Sequence, residues 1–304
     1  MGARRVLDLT AARLGLSHSL VAFPGPGAGP PPDPDGSWHL ETPFAGETIP
    51  WGRVDAACGR AAAVALDAGI RAAATGQTRA LVTAPISKAA WRAAGIPFPG
   101  HTEFLQDRTG VPAVAMAFTS PTLRVVLLTG HCPLTDVPAR LRTLDLPARL
   151  AMIDRELTRR FGARPRLALA GVNPHAGEGG LFGPEEGELL VPAVAAAREA
   201  GLQIHGPCAP DTVYHRAVQG EFDWVIAPYH DQGLAPLKTL HFREAVQITL
   251  GLPFLRASVD HGTAFDIAGT GAADPTNLIQ ALSQAAARTG REAGADAGEA
   301  ATSR

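Results

Sequence analysis

LRVVLLTGH, residues 123–131, is a short run of aliphatic and β-branched residues that stops abruptly at Thr129-Gly130-His131. A run this short, with apolar residues on both faces, reads as a strand buried on both sides of a sheet. The form recurs. LALAGVNPH (residues 167–175) and WVIAPYH (residues 224–230) each end in a histidine, and RALVTAPI (residues 79–86) stops at Thr-Ala-Pro-Ile. Between the runs, alanine-rich amphipathic segments predict helices over Val54 to about Thr75, Leu146–Phe161 and Glu185–Ala200. Strands alternating with helices make an α/β fold with a mostly parallel sheet. Such sheets bind ligands beyond the carboxyl ends of their strands, so three strands ending in His131, His175 and His230 point toward one region.

Outward from these runs, the first 20 residues read as a helix with Leu7, Leu9, Ala12 and Leu16 on one face. Pro24–Gly36 is too rich in Pro and Gly to be anything but a loop, and Asp274-Pro275 can cap and open a helix running to about Ala287. Thr289–Arg304 reads as a frayed tail. Gly25-Pro26-Gly27-Ala28-Gly29 neither follows a strand nor opens a helix, so it is not a dinucleotide fingerprint.

Composition narrows the function. The 304 residues are 46% hydrophobic and 18% charged with a net charge of -2, as in an ordinary globular protein. No basic cluster suggests a nucleic-acid partner. Cys58, Cys132 and Cys208 are odd in number and far apart, which fits neither a disulfide framework nor a CxxC knuckle. No apolar run is long enough for a membrane span, and no signal peptide is evident, so a cytoplasmic protein is expected.

Each strand-end histidine taken alone would be read as a loop residue capping a strand. Together, three neutral imidazoles suit Zn²⁺, Co²⁺ or a similar ion and leave positions open for substrate oxygens. His18, His39, His205, His215 and His241 have no such setting and read as satisfied polar residues. Lys238 and Arg256 are cations near the histidine motifs and suit a substrate carrying phosphate and carboxylate groups. Asp211 and Asp231 could orient an imidazole, accept a proton or cap a loop.

Six motifs lie in register: TAPISK (83–88), GIPFPGHTEF (95–104), NPHAGEGG (173–180), YHDQGL (229–234), ITLGLPF (248–254) and SVDHGTA (258–264). In order and spacing they resemble the 4-hydroxythreonine-4-phosphate dehydrogenase family from about Val54 to Leu282. The resemblance implies an isocitrate/isopropylmalate dehydrogenase-like two-lobed α/β fold with an active-site cleft. One lobe is expected at residues 1–95 plus 260–304, the other at 96–259. The family's opening Gly-Asp-Pro-Ala-Gly-Ile-Gly-Pro-Glu segment has no counterpart, so an N-terminally shortened member is expected.

The implied activity is metal-dependent, NAD- or NADP-linked oxidation and decarboxylation of 4-phosphooxy-threonine to 3-amino-2-oxopropyl phosphate, in vitamin B6 biosynthesis. The resemblance also implies a homodimer and one divalent ion (Zn, Mg or Co) near the dimer interface. It carries the metal ligands onto His131, His175 and His230 and the substrate contacts onto His101, Thr102, Lys238 and Arg256. Gln247 stands where the family has asparagine, which admits another phosphorylated hydroxy acid, such as phosphothreonate or phosphoerythronate. A non-catalytic paralogue that binds metal or phosphate is a further reading. The general acid and base stay open among Lys88, Asp211 and Asp231, and no residue is assigned to the cofactor.

Overall fold

The computed structural model describes residues 1–18, 20–23, 38–46 and 48–301. The loop expected at Pro24–Gly36 lies outside them, as do the last three residues of the expected tail. The chain opens with α1 (Arg4–Leu14) and a two-residue parallel pair, β1 (Val21–Ala22) with β2 (Trp38–His39). There follow α2 (Ala56–Ala74), β3 (Ala80–Thr83), α3 (Lys88–Ala93) and α4 (His101–Thr109). The middle of the chain supplies β4 (Ala115–Thr119), β5 (Arg124–Leu127), α5 (Val137–Thr143), α6 (Leu146–Phe161) and β6 (Leu167–Ala170). Next come α7 (Val191–Glu199), β7 (Ile204–Cys208), α8 (Val213–Val218), β8 (Trp224–Ala227) and α9 (His230–His241). The chain closes with β9 (Val246–Leu250), β10 (Leu255–Val259) and α10 (Thr276–Ala301).

One eight-stranded sheet runs in the order β3-β10-β9-β4-β5-β8-β6-β7. Its ends pair in parallel, β3 with β10 and β5-β8-β6-β7 as a block, while β10-β9, β9-β4 and β4-β5 are antiparallel. The adjacent parallel strands β5, β8 and β6 are those expected to end in histidines.

Helix α6 shows how the sequence builds the packing. Leu146, Leu150, Ile153 and Leu157 recur at helical spacing and are all buried against the sheet. Asp145 caps the start by accepting from the Ala148 N–H at 3.0 Å, and Gly162 ends the helix in the left-handed region at φ 79. Each buried leucine contributes about 2 kcal/mol of transfer free energy.

Three differences from the sequence reading have physical causes. The helix expected over Glu185–Ala200 is interrupted by a wide turn at Glu186–Leu190, where the buried Glu186 carboxylate accepts from the Asn173 N–H at 2.7 Å. Helix α10 continues to Ala301, through a stretch dominated by strong helix formers. In α1 no residue is buried; it is tied down instead by Arg13, whose guanidinium lies 5.1 Å from the Trp51 ring centre and donates to the Gly269 carbonyl at 2.8 Å. Among the described residues no helix is long and apolar enough to cross a membrane.

Candidate active site

Strand alternation places one set of polar side chains on a single face of the sheet. Across the central strands, Arg256 pairs with Thr249 and Thr249 with Met116, while Ser258 pairs with Gln247 and Gln247 with Phe118. The intervening residues Ala257, Ile248, Ala117 and Val126 face the other way, into the apolar core under α6 and α10. The polar face floors a cleft of about 810 Å3, walled by the Pro85–Lys88 loop, the start of α4, and the strand ends at His131 and Asp260.

Arg256 is 2% exposed, and among the described residues no carboxylate touches it. Its guanidinium donates to Thr83 Oγ1 at 2.8 Å, to Thr249 Oγ1 at 3.1 Å and to Gln247 Oε1, and its Nε has no partner. Burial pulls its pKa down to about 9, which leaves it charged at neutral pH. A buried cation without a counter-charge is costly, and an anion in the cleft would offset that cost.

His101 Nδ1 lies 3.1 Å from Arg256 Nη2. Because guanidinium only donates, Nδ1 is the acceptor, and the remaining proton sits on Nε2. Burial, then the charges of Arg256 and Lys88, holds His101 down at about 3. It is a neutral donor. Gly100, the N-cap of α4, offers no side-chain cap, so the first-turn N–H groups of His101, Thr102 and Glu103 add partial positive charge to the cleft wall.

This depression has a consequence for stability. The unfolded histidine takes up a proton below about pH 6.5, whereas the native one does so only near pH 3. The contribution is therefore fully present above pH 6.5 and is lost as pH falls through that window, at a slope approaching about 1.4 kcal/mol per pH unit. His101→Gln removes this component. In urea titrations the wild-type-minus-variant difference in unfolding free energy should shrink between about pH 6 and about pH 4; a flat difference contradicts the assignment.

The histidine motifs come out unequally. His131 and His230 stand together, ring centres 4.8 Å apart. His230 Nδ1 lies 2.6 Å from Asp231 Oδ1, which leaves Nε2 as the nitrogen able to ligate. Desolvation, then His230 and Lys88, lowers the pKa of His131 and favours its neutral form, the form in which an imidazole can ligate. Helix α9 can carry His230 this close because Gly233 has no side chain; a Cβ there would lie 2.6 Å from Val125 Cγ1.

His175 is not brought to this pair. It opens a run with positive φ from His175 to Gly179, where left-handed backbone costs each non-glycine residue about 1–2 kcal/mol. A Cβ on Gly177 would stand 2.7 Å from Glu186 Oε2, the oxygen that accepts from Asn173 Nδ2 at 3.0 Å, so glycine is required there. His175 is exposed, 6.4 Å from the Phe182 ring. Among the described residues, no group of three or more His, Cys, Asp or Glu could hold a metal ion. The donors of one chain fit such an ion in part: two imidazoles, one oriented by a carboxylate.

The remaining expected residues divide. Lys88 and Thr102 line the cleft. Lys238 does not line it, but its Nζ lies 3.2 Å from Asp260 Oδ2, and Asp260 does. Asp231 orients His230, and Asp211 is exposed in the turn after β7, away from the cleft. Sequence reasoning left out Thr83, Glu103, Arg149, Ser258 and Asp260. Thr83, Glu103, Ser258 and Asp260 sit inside the quoted motifs, and an Arg and a Ser alternating in the LRASV strand were the signal for a polar sheet face. Burial raises the pKa of Asp260 against the pull of Lys238. A second cavity of about 460 Å3, bordered by Phe242, Ile267 and Asn277, shares Asp260, His261 and Gly262 with the cleft.

Comparison with known proteins places this geometry. Residues 32–285 match the family described as pyridoxal phosphate biosynthetic protein PdxA. A 4-hydroxythreonine-4-phosphate dehydrogenase of Desulforapulum autotrophicum is 45% identical over 79% of this chain and 74% of its own. A D-threonate 4-phosphate dehydrogenase of Cupriavidus necator is 44% identical over 81% of this chain and 74% of its own. The crystal structure of 4-hydroxythreonine-4-phosphate dehydrogenase from Klebsiella pneumoniae superposes with a TM-score of 0.84 at 38% identity, covering 95% of this chain and 89% of that one.

Proposed function

The chain belongs to the PdxA family of pyridoxal phosphate biosynthetic proteins, and from that premise we propose that it oxidises and decarboxylates 4-phosphooxy-threonine to 3-amino-2-oxopropyl phosphate. The observation that carries the reading is Arg256, a buried cation without a carboxylate on the floor of a large polar cleft. The substrate phosphate takes a charge-assisted bond from the unpartnered Arg256 Nε–H, with the His101 Nε2–H, Thr102 and the start of α4 as further donors and Gln247 and Lys238 in support. Bound NAD or NADP would supply the hydride acceptor, and the residues of the second cavity, which shares Asp260, His261 and Gly262 with the cleft, would hold it.

His131 and His230 would hold a divalent ion (Zn, Mg or Co), which would supply Lewis acidity to the substrate's alcohol and acid groups. The third ligand is the partner subunit's His175, in a homodimer. Leu134 at 67% exposure near His131, and Phe182 at 47% with its ring 6.4 Å from His175, support a second copy covering both patches. Of the expected acid–base candidates, Lys88 alone lines the cleft, and it makes no hydrogen bond or ion pair among the described residues. Asp260 is placed to take the hydroxyl proton, and the Lys88 ammonium to return one to the carbon that loses CO₂. The cleft lies between the proposed lobes, residues 1–95 plus 260–304 and 96–259, of a cytoplasmic enzyme.

A second reading has its own observation. Gln247 spends its carbonyl oxygen on Arg256 and points its amide nitrogen at Thr249 Oγ1, 3.3 Å away. This bonding changes what Arg256 offers a ligand and favours a phosphorylated sugar acid such as phosphothreonate, the substrate type named for the Cupriavidus necator relative. Metal-replete protein assayed for NAD(P)H formation on 4-phosphooxy-threonine, phosphothreonate and phosphoerythronate separates the two. Turnover of none of them, with metal and phosphate still bound, leaves a non-catalytic binding protein and overturns both.

A further inference from the structure

The charges around the cleft are lopsided. Four cations line it, Lys88, Arg140, Arg149 and Arg256, against two carboxylates, Glu103 and Asp260. Arg256 is assigned above to the phosphate, and Asp260 is occupied by Lys238. Arg149 has no role yet. It rises from the first turn of α6, partly buried, with Nη2 3.4 Å from the Leu128 carbonyl, three residues before His131. Its Nε is buried without a partner, and no carboxylate among the described residues touches its guanidinium. Burial alone lowers its pKa. Arg140, on α5, lines the same cleft, exposed and with no side-chain partner among the described residues.

A guanidinium that gives up hydration without gaining a carboxylate is costly to the empty protein. Arg149 stands beside the strand end that presents His131, whereas Arg256 sits on the sheet floor with Thr83 and Gln247. These are separate positions around one cleft of about 810 Å3, and a ligand with an anion at each end would offset both charges. We propose that Arg149, supported by Arg140, is a second anion subsite that binds the carboxylate end of a substrate whose phosphate end lies at Arg256. This deepens the reading of the cleft as the site of a phosphorylated hydroxy acid and rests on it. It makes Arg149 a specificity-determining residue, because a phosphate ester of the same length without a carboxylate leaves its guanidinium unpaired.

The test compares 4-phosphooxy-threonine with its carboxamide, by calorimetry on metal-replete protein without NAD(P), and uses inorganic phosphate as a third probe. Wild type should bind the acid more tightly than the amide. Arg149→Met should cut that preference about tenfold, the worth of one charge-assisted hydrogen bond, and leave the affinity for inorganic phosphate unchanged. Arg149→Lys should keep part of the preference, and Arg149→Gln carries the same comparison should the Met variant not fold. An unchanged acid-to-amide ratio overturns the subsite. So does an equal weakening of all three probes, which would put Arg149 at the phosphate, or a weakening of NAD(P) binding alone, which would put it at the cofactor. If wild type binds neither acid nor amide, the reading of the cleft fails first and takes the subsite with it.

Discussion

Arg256→Met is expected to lower kcat/KM for the phosphorylated hydroxy acid by about one to two orders of magnitude, chiefly through KM. The Nη hydrogens are already given to Thr83, Gln247, Thr249 and His101, so one charge-assisted bond from the unpartnered Nε–H, at about 1.5–3 kcal/mol, accounts for a loss of that size. The substitution strips Gln247 Oε1 and His101 Nδ1 of a donor, but both residues line the open cleft, where water can replace it. Thr83 Oγ1 already donates to Ser258 Oγ at 3.0 Å, and Gln247 Nε2 already reaches Thr249 Oγ1 at 3.3 Å. The variant should therefore fold, with an unfolding transition near that of wild type. Arg256→Lys keeps the charge but loses the planar fork, and should recover only part of the affinity. A Met variant within threefold of wild type would remove the phosphate from this position.

His131→Ala and His230→Ala are each expected to abolish metal-dependent turnover, and the purified variants should lose bound divalent ion. Asp231→Asn tests the same pair more gently. Its carboxylate at 2.6 Å fixes the orientation of the His230 ring, and removing such a partner costs about 10–100-fold in metal affinity or activity. Metal content by elemental analysis, read beside kcat, separates loss of the ion from loss of fold. An Asp231→Asn protein with wild-type metal affinity would contradict the assigned orientation.

The sequence makes the parallel part of this sheet legible and hides its centre. β3, β5, β6 and β8 are apolar on both faces, so they stand out as runs bounded by Pro, Gly or His. β9 (VQITL) and β10 (LRASV) carry Gln247, Thr249, Arg256 and Ser258 on the face that floors the cleft, and that polarity breaks the apolar run. The antiparallel centre is thus obscured by the residues that give the cleft its chemistry. The histidines show the same limit. Their strands β5, β8 and β6 are adjacent and parallel, as the runs imply, yet only His131 and His230 meet. The left-handed run from His175 to Gly179 turns the third away, and that conformation is carried by backbone angles rather than by residue pattern. Arg149 was invisible for another reason: it occupies an ordinary position in a well-patterned helix, and only the cleft beside it gives it meaning.

The claim that a metal-dependent dehydrogenase site is completed by a second copy of the chain is tested by mixing. His131→Ala and His175→Ala chains, each inactive alone, are co-expressed, and NAD(P)H formation from the phosphorylated hydroxy acid is measured on the purified mixture. With His175 supplied across a two-fold interface, half the dimers are hybrids, and each hybrid has one site with all its histidines intact. About a quarter of wild-type activity should return. No recovery, in a mixture shown to contain hybrid dimers and a wild type shown to turn over, would contradict the shared site.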